Sequence, residues 1–348
     1  LESAMQICLS VELFKKAEQI CKMLVDYNIN NSSYWLTYKQ ITAYNKNYHN
    51  TLNAINELER IEGESIKLTL EKSAIIQELN NIKEAIKILL KAHEPDSANA
   101  EIVKRLVSLY LEDQNFEDAE IFNMLLLREF SDDSAGYINA AIISLNNDSP
   151  SAAIKYLEPE ITRFNDNYSA LYLLGTSYFQ NKDLSNAEKY LSLSLAVYPQ
   201  SRNSKHTLAM IYDQTGFWIK SDSLYLDLIK TDSLDAQAYN NFAYSLVERS
   251  ANLELALEMS LIANTIEPKS APYLDTLGWI YYNLEQYGKA LEYVQQSYSL
   301  DSDNPVIVEH LADILKATNQ ISKANLIYMQ AIDIGGDSLL IQQKMLIE

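Results

Sequence analysis

The sequence predicts an all-α chain of stacked helical hairpins, and three observations carry that prediction. First, 348 residues contain only 8 glycines and 7 prolines, too few to supply the tight turns of a β-rich fold. Second, small residues recur at a nearly fixed interval: Ala17, Thr51, Ala85, Ala119, Ala153, Ala187, Ser221, Ala256, Ala290 and Ala324 stand 34 or 35 residues apart. Third, a second column, Val107, Ala141, Gly175, Ala209, Ala243, Gly278 and Ala312, keeps the same period. A period of this size marks a repeated supersecondary unit that cannot bury its apolar faces alone. A small side chain in each column is what two antiparallel helices need where they approach closely.

The hairpins can be justified in order. Phe14 and Ala17 open the second helix of the first hairpin. Tyr48 and Thr51 do so in the next, although Lys39 takes the place of a small residue. In the third, Ile82 and Ala85 keep the register while Lys72 and Ser73 depart from it. Val107, Tyr110, Phe116 and Ala119 complete the fourth, the aromatic lying one turn after the small residue on the same helix face. The fifth holds Ala141 and Ala153 but also Pro150 at a helix start and Pro159 further on. An interior proline removes a hydrogen bond and costs about 3 kcal/mol, so a bend or break is expected near residue 159.

Hairpins six to ten follow the register closely. They are marked by Gly175, Tyr178, Leu184 and Ala187; Ala209, Tyr212, Trp218 and Ser221; Ala243, Leu246, Leu253 and Ala256; Gly278, Tyr281, Tyr287 and Ala290; Ala312, Leu315, Ile321 and Ala324. The large residue three before each second-helix small residue is expected to staple the hairpin. One extra residue in VERSANLELA should lengthen a turn and do little else. The division expected is residues 1–133 for hairpins of which the first three are degenerate, 134–167 for the proline-containing one, 168–336 for the regular ones, and 337–348 for the start of a terminal helix.

Two segments carry a resemblance: LYLLGTSYFQNKDLSNAEKYLSLSLAVYP at 171–199 and LDTLGWIYYNLEQYGKALEYVQQSYSLD at 274–301. Both resemble the tetratricopeptide repeat, whose small–aromatic–small core falls on Gly175, Tyr178 and Ala187, and on Gly278, Tyr281 and Ala290, with its terminating proline on Pro199 and Pro268. The resemblance runs through about ten units. It implies an α-solenoid, two antiparallel helices per unit stacked in a right-handed superhelix, with each unit touching its neighbours. The wording of residues 239–291 is similar to bacterial cell-envelope members of that family, which tilts the expected location toward the periplasm or outer membrane.

Composition narrows the function. The formal charge is −19, from 47 acidic and 28 basic residues, and both halves are acidic; this repels nucleic acid and anionic lipid surfaces. No run approaches the roughly 20 apolar residues of a membrane span. Leu1 opens the chain, so a signal peptide or lipid anchor upstream fits the reading. Cys8 and Cys21 suit either two buried thiols or one disulfide. The four histidines, His49, His93, His206 and His310, sit at unrelated places in their units and lack metal-ligand spacing. No phosphate-binding glycine loop or nucleophile elbow is present, so neither cofactor nor metal is expected, and no enzymatic role.

What remains is a surface. The resemblance implies that the first helix of each unit lines a concave wall. By phase, the partner-binding residues expected there are Tyr172, Phe179, His206, Met210, Asp213, Tyr244, Asp275, Trp279 and Tyr282. Aromatic groups bury much area at low entropic cost, which suits a protein or peptide partner. Trp279 is the expected anchor. The clamp with which some family members hold a terminal carboxylate needs Lys, Arg and Asn on this wall, and here the equivalent places carry mainly acids and aromatics. The reading is a non-enzymatic scaffold that binds a protein segment in its groove, in an envelope assembly, secretion or export system. Two alternatives stay open: a regulatory arm of a larger enzyme or exporter, and a solenoid that binds polysaccharide.

Overall fold

The computed structural model describes residues 1–94 and 99–346. It falls into two compact units, Leu1–Asn181 and Lys182–Glu348. All regular structure among the described residues is helical. Unit 1 holds five hairpins: α1 (Glu2–Ser10) with α2 (Phe14–Tyr27), α3 (Ser32–Tyr44) with α4 (Tyr48–Glu62), α5 (Ile66–Glu78) with α6 (Ile82–His93), α7 (Ala100–Glu112) with α8 (Phe116–Glu129), and α9 (Ser134–Asn146) with α10 (Pro150–Leu157). It ends with α11 (Tyr168–Gln180). Unit 2 begins with α12 (Leu184–Val197). Four hairpins follow: α13 (Arg202–Gln214) with α14 (Trp218–Thr231), α15 (Ala236–Glu248) with α16 (Leu253–Ile266), α17 (Ala271–Asn283) with α18 (Tyr287–Leu300), and α19 (Pro305–Ala317) with α20 (Ile321–Asp333). The last helix is α21 (Ser338–Leu346).

The small columns are the core of the packing. Every member of the second-helix column, from Ala17 to Ala324, is buried to 1% exposure or less. Gly278 shows why size matters there: a Cβ on it would overlap Val294 Cγ2 and stand 3.1 Å from the Ala290 carbonyl oxygen. The aromatic and leucine column, Tyr110, Tyr178, Tyr212, Leu246, Tyr281 and Leu315, is buried throughout. The expected staple behaves differently. Phe14, Tyr48 and Tyr287 are only half-buried, and Trp218 and Ile321 are exposed. The staple residue is the first of its helix, at the turn end of the hairpin, where one side faces solvent.

The hairpin turns explain how so few glycines suffice. The middle residue of each short turn has positive φ: Glu12, Lys46, Asn80, Gln114, Asp148, Glu285 and Asn319, with Gly216 in the same place in α13/α14. The following N–H bonds back into the first helix, as in Asn47 N to Thr42 O (2.8 Å), Phe217 N to Tyr212 O (2.8 Å) and Gln286 N to Tyr281 O (2.9 Å). This six-to-one closure satisfies the last carbonyls of a helix and needs a left-handed residue. Asparagine then caps the next helix in many units, as Asn47, Asn81 and Asn115 do. The longer turn of α15/α16 places Ser250 and Asn252 at positive φ. α10 stops at Leu157, and Pro159 lies in a single 3-10 turn, Glu158–Glu160. Cys8 and Cys21 are both buried and free.

Candidate functional site

The residues expected on the first-helix face divide between the units. Tyr172 and Phe179 lie on α11 of unit 1, both half-buried, Tyr172 stacked on Tyr168 at 5.8 Å between centroids. The other seven lie in unit 2.

Three of those seven are drawn into seams between successive first helices. His206 of α13 is 5% exposed, and its Nε2 stands 3.0 Å from Asp235 Oδ2. Asp235 is buried, takes Arg202 Nε and Nη2 at 2.7 Å each, and caps α15 through the Ala238 N–H at 3.0 Å. Burial of Asp235 opposes its charge, but Arg202, the Ala238 amide and His206 together hold its carboxyl below the usual range. Burial lowers the affinity of His206 for a second proton, against the pull of Asp235. Asp275 of α17 is likewise buried and meets His310 Nδ1 of α19 at 2.8 Å. A carboxylate only accepts, so Nδ1 carries the proton in this pair. Asp213 of α13 takes three hydroxyl donors: Ser221 at 2.5 Å, Tyr225 at 2.9 Å and Ser245 at 2.7 Å. These carboxylates tie helices together.

The aromatic members form a wall. Trp279 is stacked on both faces, on Tyr282 with centroids 4.7 Å apart and on His310 at 4.0 Å, each within 10° of parallel. Its Nε1 donates to Glu248 Oε1 at 3.0 Å. The expected anchor thus has both ring faces filled from within unit 2. Tyr244 is half-buried, and its hydroxyl is held protonated by burial and by the charges of Glu248, Asp275 and Glu309. Burial, then Asp313 and Tyr287, does the same for Tyr282. Met210 is half-buried on α13.

Trp279 and Tyr282 border a groove of about 620 Å³ between α17, α19, α20 and α21. Asp313, Tyr328, Ile321, Asn319 and Lys344 complete it, along with Lys316 and Ala317. Asp313 accepts from the Tyr328 hydroxyl and from Lys344 Nζ at 2.6 Å, and Lys344 also meets Glu309 at 2.6 Å. Tyr328 sits on a second helix and Lys344 on α21, so phase along the first helices could not find either. Tyr328 shares its place in the repeat with Tyr225, which bonds Asp213, and that recurrence is the signal available in the sequence. Among the described residues no helix is long and apolar enough to cross a membrane.

Paired helices, a recurring small-residue core and a side-chain-rich first-helix face define an α-solenoid of the protein-interaction class. Tetratricopeptide repeat family models match residues 139–202 and 271–304, so the chain carries tetratricopeptide repeats over those residues. It is 28% identical over 145 residues to the type IV pilus assembly protein PilF of Pseudomonas aeruginosa, an alignment covering 41% of this chain and 57% of that protein. A TPR repeat-containing protein of the same species is 26% identical over 144 residues, 24% of its length. The chain thus matches little more than half of the first relative and a quarter of the second. Among solved structures, the APC/C hetero-tetramer Cut9-Hcn1 superposes with a TM-score of 0.61 at 14% identity, covering 98% of this chain and 74% of that one. That likeness is one of fold.

Proposed function

We propose that the chain is a non-enzymatic scaffold that receives a segment of a partner protein on the first-helix face of unit 2, in a bacterial envelope assembly or export system. The observation that carries this reading is the groove beside Tyr282. It is large enough for one or two side chains, is walled by rigid aromatics, and has its carboxylates already matched by Lys344 and Tyr328. A site whose charges are internally satisfied can desolvate at little cost when a partner covers it. The seams around it hold their own polar pairs, so the face is pre-organised. The likeness to a pilus assembly protein supports the envelope setting.

Placing a photo-crosslinking amino acid at Tyr282 in the source organism tests the reading. A discrete crosslinked protein is expected there, and none from the same probe at Glu292, on the exposed side of α18. Equal labelling from both positions would exclude the groove as the site, and glycan recovered in place of protein would favour the polysaccharide alternative.

A further inference from the structure

Tyr38 of α3 breaks a column of leucines. Its place in the repeat is filled in later first helices by Leu106, Leu174, Leu208, Leu277 and Leu311, all of them buried. The Tyr38 ring is buried as they are, 2% exposed, in an edge contact with Trp35. It brings a hydroxyl that leucine lacks, and among the described residues no hydrogen bond is made to that hydroxyl. Tyr38 lines a pocket of about 680 Å³ formed by α2, the α3/α4 turn and the start of α4. Burial first, then the charge of Glu18 in the same lining, pushes the phenol up to about 12, so it stands there as a protonated donor.

Glu18 of α2 is held in that pocket by amides alone. Its Oε1 accepts from Asn47 Nδ2 at 2.8 Å and Asn50 Nδ2 at 3.2 Å, and its Oε2 from Asn45 Nδ2 at 2.6 Å. At the same place in α14, Asp222 is met by Arg249 at 2.7 Å, from the turn position that Asn45 fills here. Replacing a guanidinium by amides leaves Glu18 oriented but not neutralised. A carboxylate has about four acceptor sites, and three are filled. Lys15 is exposed on the rim, and among the described residues it has no ion-pair partner, whereas Lys22 is paired with Asp26 at 2.6 Å. The lining is therefore close to charge balance. Gln19 adds a further amide, and Met23 is the one apolar side chain besides Tyr38.

We propose that this pocket binds neutral sugar units of a glycan chain, with Tyr38 and Glu18 as the groups that hold a sugar hydroxyl. A hydroxyl donates one hydrogen bond and accepts others. The pocket sets a donor without a partner, the Tyr38 phenol, in one lining with an acceptor that has capacity left, the Glu18 carboxylate. Gln19 and Lys15 extend the same pattern toward the mouth. Charge balance gives no advantage to an ionised ligand. With one aliphatic side chain in the lining, a hydrophobic peptide anchor would bury little area. The Asn45, Asn47 and Asn50 amides are fixed on Glu18 beforehand, which lowers the ordering cost of binding. The volume falls within the roughly 300–1,000 Å³ of small-molecule sites. The pocket lies between two second helices, so its occupation leaves the first-helix face free, and the assignment is independent of the groove in unit 2.

The test titrates the full chain with cellobiose, maltose, lactose and diacetylchitobiose, with digalacturonate and an end-blocked Gly-Ser hexapeptide as contrasts, followed by saturation-transfer NMR. At least one neutral disaccharide is expected to bind saturably with a Kd of about 1 mM and to shift the side-chain amide signals of Asn45, Asn47 and Asn50. Tyr38→Phe removes the hydroxyl and keeps the ring, and should weaken that disaccharide about fivefold while the melting temperature holds or rises. Glu18→Gln should weaken it about tenfold. Tyr282→Ser should leave it unaltered. No saturable binding of any of the four disaccharides, or an affinity undiminished in Tyr38→Phe, would overturn the proposal. Tighter binding of digalacturonate or of the hexapeptide than of every neutral disaccharide would overturn the ligand class. Glucose or N-acetylglucosamine binding as tightly as the disaccharides would assign the pocket to a free sugar and overturn the glycan chain.

Discussion

His206 Nε2 stands 3.0 Å from Asp235 Oδ2 across the seam between α13 and α15, and both residues are buried. The seam makes stability depend on pH in a defined direction. His206 binds its second proton less readily folded than unfolded, because burial opposes the charge. Its contribution is therefore present above the ordinary histidine range, about pH 6.5, and is lost as pH falls through it, where the unfolded chain takes up the proton. Asp235, held below its usual range, acts in the same sense at lower pH. The melting temperature should fall between about pH 7.5 and pH 5, and His206→Gln should flatten that slope. A variant with an undiminished slope would move the titration elsewhere.

Gly278 is where the helices of α17/α18 come closest. A methyl group there meets Val294 and the Ala290 carbonyl, so Gly278→Ala should cost about 1–3 kcal/mol through overpacking, in spite of alanine's better helix propensity. Chemical denaturation reads this directly. Pairing Gly278→Ala with Val294→Ala should recover part of the loss.

Gly216 has open space around it but a φ of +76°. Gly216→Ala should therefore destabilise by about 1 kcal/mol through backbone conformation alone. The converse exchange, Glu285→Gly at φ +59°, should be neutral or mildly stabilising. Thermal melts of the two variants would show opposite signs.

Trp279 and Tyr282 should separate under mutation. Trp279 is stacked on both faces and hydrogen-bonded at its edge, so Trp279→Ser should cost about 2–4 kcal/mol. Tyr282 has one ring face on Trp279 and a tilted contact with Tyr287, and Tyr282→Ser should cost about 1 kcal/mol. Loss of partner capture in the Tyr282 variant at near-native stability would locate the site, whereas equal stability losses would make the whole stack structural.

Cys21 is fully buried and its thiol is pushed up to about 11 by that burial. Alkylation at pH 8 should be slow in the native chain and fast in denaturant. Mass spectrometry should then count two modified thiols without prior reduction, since both cysteines are free.

These results show which features of the chain were legible in its residues. The small columns were, because a helix-to-helix approach tolerates few side chains, and all ten second-helix members are buried. The aromatic column was legible for the same reason. Phase alone could place Asp213, His206 and Asp275 on the first helices, yet it could not tell a side chain offered to solvent from one claimed by the next helix. Ser245 in α15 claims Asp213, and His310 in α19 claims Asp275. Lys39 read as degeneracy because a lone deviation carries no sign of its neighbours. Only three dimensions bring Glu71, Lys67 and Ile55 around it. The left-handed turn residues were hidden because Glu, Lys and Gln stand where glycine would have announced the conformation.

The repeated turn has a mechanical consequence. In unit 1 and in unit 2 the close packing joins each helix chiefly to its immediate neighbours in the chain and to the adjacent first helix. A tension applied along such a chain finds no long-range clasp that must break before all others. It can peel one hairpin while the remainder stays folded, and each released period of 34 residues lengthens the tether by up to about 110 Å. Because the Schellman closure is rebuilt from local atoms alone, a peeled hairpin carries the instructions for its own reseating when the load is removed.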